Sequence, residues 1–70
     1  MWTVEAIGET AGQVWKFLNQ HGQCSLNAIK LGVVAPKSQV DMAIGWLARE
    51  GKIELGQEKR SIQIWLKEVH

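Results

Sequence analysis

Seventy residues with 46% apolar and 21% charged side chains have the composition of one small globular domain, which sets aside a disordered segment and a multidomain chain. Eight basic and seven acidic residues leave a formal net charge of +1, without the large positive excess of strong nucleic-acid binders. No apolar run approaches the roughly 20 residues that span a bilayer, and no charged start precedes an apolar stretch, so a cytoplasmic protein is expected.

Ile7, Ala11, Val14 and Leu18 recur at helical spacing and predict a long helix over about residues 4–21. Glu5 and Glu9 near its start, with Lys16 and His21 near its end, suit the helix dipole. Gly22 is a stop signal. Gly8 and Gly12 sit uneasily inside this helix, since each costs about 1 kcal/mol relative to alanine. Either the helix begins only near Glu9 or Thr10, behind an irregular arm, or the glycines let another backbone approach. Trp15 lies one turn further along that same side.

Gln23 to Ser25 has room only for a turn or a stub of strand, and Ser25 stands where an N-cap belongs. Leu26 and Ile29 then predict a short helix over about 25–32. Pro36 disfavours helical geometry at Ala35 and suits the first turn of the next helix, expected over about 37–50. Its buried stripe is Val40, Ile44, Leu47 and Ala48, with Ala43 alongside. Ser38, Gln39, Met42, Gly45, Trp46 and Arg49 fall on the far side. Gly51 closes it. Ile53 and Leu55, then Ile62, Ile64 and Leu66, alternate with polar residues on either side of the turn Gln57–Arg60. They predict an antiparallel hairpin with one apolar face over about 52–67, with Val69 and His70 fraying.

The order is long helix, short helix, turn, helix, hairpin: a single domain over 1–70, mostly α with a small antiparallel β-hairpin. The middle pair is a helix-turn-helix candidate. The stretches AGQVWKFL (Ala11–Leu18) and AIGWLAREGKI (Ala43–Ile53) carry a resemblance. The chain resembles the winged helix-turn-helix superfamily over nearly its full length. More narrowly, it resembles a family of small stand-alone bacterial winged-helix domains of unknown function. The resemblance implies a three-helix winged helix-turn-helix fold and, by analogy of fold, DNA binding with a role in transcription regulation.

In that fold the second helix of the motif lies in the major groove and the wing reaches backbone or minor groove. Lys37, Ser38, Gln39 and Met42 would then face the groove, with Lys30, Lys37, Lys59 and Arg60 on phosphates. Asp41 and Glu58 oppose this, since a carboxylate near the backbone repels phosphate. Trp15, Trp46 and Trp65, with Trp2, make four tryptophans in a chain without tyrosine. They serve either as amphipathic covers over the rim of a small core or as anchors for a protein partner. The alternative function is therefore a protein-interaction or dimerisation module that does not bind DNA, with Trp15, Trp46 and Trp65 as contacts. The expected partners are double-stranded DNA on the first reading, and another protein or a second copy on the alternative.

Nothing points to catalysis. His21 and His70 lack partners with metal-ligand or triad spacing, and there is no glycine-rich phosphate loop. Cys24, the one cysteine, has no basic neighbour in sequence to activate it and reads as a small buried thiol. No enzyme activity, cofactor, metal or small-molecule site is expected.

Overall fold

The computed structural model describes residues 3–67. Trp2, and the expected fraying at Val69 and His70, lie outside the described residues. Helix α1 (Val4–His21) starts at Thr3, whose hydroxyl accepts from the Ala6 N–H at 3.0 Å. A Thr cap satisfies one of the donors a helix start leaves unpaired. The helix therefore runs through Gly8 and Gly12, and the reading with a late start near Glu9 falls. It ends where the Gly22 N–H donates to Leu18 C=O at 2.8 Å.

Strand β1 (Cys24–Ser25) leads directly into helix α2 (Leu26–Gly32), where the Ser25 hydroxyl accepts from Ala28 N–H at 3.1 Å. Helix α3 (Lys37–Arg49) follows the Val33–Pro36 connection. Its end is a double closure: Gly51 N–H donates to Ala48 C=O and Lys52 N–H to Leu47 C=O. This Schellman arrangement needs left-handed backbone at Gly51, whose φ is 72°. It turns the chain straight into strand β2 (Ile53–Glu58), which pairs antiparallel with β3 (Ser61–Leu66).

The sheet has three strands in the order β1-β3-β2. Cys24 pairs with Ile64 and Ser25 with Gln63, so the segment before α2 is a short edge strand and extends the expected hairpin by one strand. The whole is the winged helix-turn-helix architecture that the sequence implies, with three helices and an antiparallel sheet.

One core unites every element. Ala11, Val14 and Leu18 of α1, Ile29 of α2, Val33, the α3 residues Val40, Ala43, Ile44 and Leu47, and Ile53 and Ile64 of the sheet are buried. On α3 the stripe differs slightly from expectation, with Ala43 fully buried and Ala48 only partly. Phe17 packs on Gly32 so closely that a Cβ there would meet its ring at 2.3 Å. Only glycine lets α2 end against α1 in this way.

Candidate functional site

Helix α3 carries three different strips around its buried one, because successive residues turn about 100°. Ser38, Met42, Gly45 and Arg49 share the strip directly opposite the core and are exposed. Lys37, Asp41 and Ala48 turn toward α2, where Asp41 accepts from the Lys30 ammonium at 3.1 Å. Gln39, Trp46 and Glu50 turn toward α1. There the Gln39 amide donates to the Thr10 hydroxyl at 2.7 Å.

This division sorts the residues expected on the far side of α3. Ser38 and Met42 stand free on the outer strip, together with Arg49, and Lys37 is exposed at the helix start. Gln39 is partly buried and engaged with Thr10, so its amide is a tie between α1 and α3. Lys30 is partly buried and ion-paired. The same pair neutralises Asp41, the carboxylate that opposed a DNA reading from within α3. Lys30–Asp41 is the sole ion pair among the described residues.

The wing ends in a two-residue loop, Lys59–Arg60, between the paired residues Glu58 and Ser61. Lys59 adopts φ 53° and is the one non-glycine residue with positive φ among those described. Left-handed backbone costs an L-residue with a Cβ about 1–2 kcal/mol, and two-residue hairpin loops usually place Gly, Asn or Asp there. A lysine at this point holds its charge at the apex of the wing despite that strain. Both Lys59 and Arg60 are exposed. Trp65 lies on the outer face of the sheet, partly buried. Its indole N–H donates to the Glu54 carboxylate at 3.1 Å, and its ring covers Gly56, where a Cβ would come within 2.9 Å. Gln23, Gln63 and Ser61 continue that face as a chain of side-chain hydrogen bonds.

Trp15 and Trp46 meet elsewhere. They line a groove of about 500 Å³ between α1 and α3, floored by Gly8, Ala11, Gly12 and Leu47. Lys16, Glu50 and Lys52 rim it. Trp15 remains 40% exposed and Trp46 38%. A Cβ built on Gly8 or Gly12 meets nothing within 4 Å, so the packing of the described residues makes no use of these two glycines. Each nevertheless weakens α1 by about 1 kcal/mol relative to alanine.

Cys24 is partly buried and its thiol donates to the Gly22 carbonyl at 3.2 Å. Among the described residues no group of His, Cys, Asp and Glu is arranged to hold a metal ion. No described helix is long and apolar enough to cross a membrane. The sequence reading missed Thr10, which is buried on α1 and accepts the Gln39 hydrogen bond. Its signal was present: Thr10 falls within the buried arc of α1, and a buried hydroxyl requires a partner.

Comparisons with known proteins agree on the architecture. Residues 1–66 match the family model described as Winged helix-turn-helix domain (DUF2582). Among solved structures, the chain is similar to the Zalpha domain of PKZ from Carassius auratus, crystallised in complex with Z-DNA. That likeness has a TM-score of 0.72 at 21% identity and covers 87% of this chain and 98% of the other. No curated protein matches the chain.

Proposed function

Because the chain belongs to the family of winged helix-turn-helix domains designated DUF2582, we propose that it is a non-catalytic DNA-binding module of the kind used in transcription regulation. The outer strip of α3, with Ser38, Met42 and Arg49, is directed to the groove together with Lys37 at the helix start, and Lys59 and Arg60 to phosphates. Ser38 suits a phosphate or base contact, and Met42 an apolar contact such as a thymine methyl. Gly45, between them on the same strip, leaves room for the backbone of α3 to come close to a base edge.

The observation that carries this reading is the wing tip. Lys59 keeps a cation in a conformation that glycine would hold at lower cost, and local strain retained at an exposed charged residue points to a ligand of opposite sign. The fold supports the same ligand class, since the similar Zalpha domain is seen with Z-DNA. The near-neutral net charge makes affinity modest and dependent on a few local contacts.

The test is titration with duplex DNA, in B form and with an alternating CG duplex held in Z form, from low to high salt. Binding is expected at low salt and falls steeply as salt rises. In B-form DNA, Lys59→Ala with Arg60→Ala should reduce the slope of log affinity against log salt by roughly two, about 0.9 for each phosphate contact. Gln39→Ala should leave that slope unchanged. No binding of either duplex at low salt removes the proposal.

A further inference from the structure

The groove between α1 and α3 is unused by the DNA reading, and its chemistry identifies an occupant. We propose that a second copy of this chain docks there, with the two α1 helices crossing antiparallel over Gly8 and Gly12 about a two-fold axis.

The groove between α1 and α3 is open. Its floor has open space above both glycines and its walls are two tryptophans, each well over a third exposed. Glycines at this spacing lower one side of a helix so that a second helix can approach at backbone distance. Trp15 and Trp46 supply the large apolar contact area that anchors interfaces.

Charge then selects the partner. Trp15, Gly8, Gly12, Glu5 and Lys16 lie within an arc of about 100° on α1. Glu5 and Lys16 are exposed, and neither is ion-paired within the described chain. They lie on opposite sides of the point midway between Gly8 and Gly12, five residues before it and six after. At about 1.5 Å per residue, that is roughly 8 and 9 Å along the helix. A two-fold axis through that midpoint sets Glu5 of each copy beside Lys16 of the other. An interface between identical surfaces must be complementary to itself, and this near-symmetric placement of opposite charges meets that demand. A nucleic acid is disfavoured by the mixed signs at the rim, where Glu50 lies with Lys16 and Lys52. The outer strip of α3 and the wing tip lie outside the groove, so the inference stands independently of DNA binding.

Sedimentation equilibrium of the full chain, without DNA, tests it. The expected result is a monomer–dimer equilibrium. Gly12→Leu should raise the dimer dissociation constant at least roughly tenfold, a change of about 1.4 kcal/mol. Open space surrounds its Cβ and leucine favours the helix, so the melting temperature measured at concentrations where the chain is monomeric should hold or rise. Glu5→Lys alone and Lys16→Glu alone should each weaken dimerisation by roughly fivefold. Combining them restores it, as only a contact between these two residues in different copies predicts. A monomer at millimolar concentration overturns the proposal. So does a dimer that is unaffected by Gly12→Leu, or one that the combined charge exchange fails to restore.

Discussion

The base and the tip of the wing use the same two strands to opposite ends. At the base, Ile53 and Ile64 are buried in the core, and Trp65 covers Gly56 while its N–H is held by Glu54. The same apolar alternation continues toward the tip, yet Leu55, directly opposite Ile64, is 50% exposed and Ile62, one pair further out on that face, 41%. Beyond them, Lys59 sits in left-handed backbone. Packing accounts for the base. It does not account for the tip, where Ile62 lies partly in water and a cation occupies a strained position. That contrast separates the part of the hairpin that folding requires from the part available for recognition.

Four substitutions sharpen it, beginning with the largest effect. Ile64→Ala removes a fully buried side chain at the junction of β1, β2 and α1 and should destabilise the domain by about 2–5 kcal/mol in denaturant titration. Ile62→Ala, two residues along the same strand face, should change stability by less than about 1 kcal/mol, because Ile62 is already 41% exposed. Equal losses at the two positions would erase the distinction between base and tip. Gly56→Val forces side-chain carbons into the Trp65 ring and should cost about 1–3 kcal/mol. A red-shifted tryptophan emission would report the indole displaced into water, and unchanged stability would mean the ring is free to leave. The smallest effect carries the opposite sign. Lys59→Gly relieves the left-handed strain and should stabilise the fold by up to about 1 kcal/mol in thermal unfolding while weakening DNA binding. A tip built only for folding would show the gain without the loss.

The glycines repeat the lesson. Gly32 and Gly56 each accept an aromatic ring where a Cβ would clash, and Gly51 supplies left-handed backbone at the end of α3. Gly8, Gly12 and Gly45 have open space around them. From the sequence these six residues and Gly22, the seven glycines of the chain, differ only in position. Gly51 announces itself, because a helical stripe ends just before it and a strand alternation begins just after. Gly32 and Gly56 do not, since the rings that need them, Phe17 and Trp65, are 15 and nine residues away.

The sequence by itself determined the order and type of the main elements. Apolar spacing changes from helical to alternating at Gly51, Ser25 sits at a helix start, and these signals are local. It also determined most of the residues of α1 and α3 that face inward, Thr10 excepted, because 100° per residue fixes their relative directions. Tertiary structure alone decided what the remaining faces meet. The helical wheel grouped Gln39 and Trp46 with Ser38 and Met42 as outward residues. The position of α1 turns Gln39 into a tie to Thr10 and makes Trp46 a wall facing Trp15. Asp41 finds Lys30 only because α2 packs beside α3, and Cys24 and Ser25 become a strand only because β3 runs past them. A helix's own geometry gives the angles between its side chains. Which of those angles point to water depends on neighbours distant in sequence, and that division places the candidate DNA surface on one side of α3 and the groove for a second copy on another.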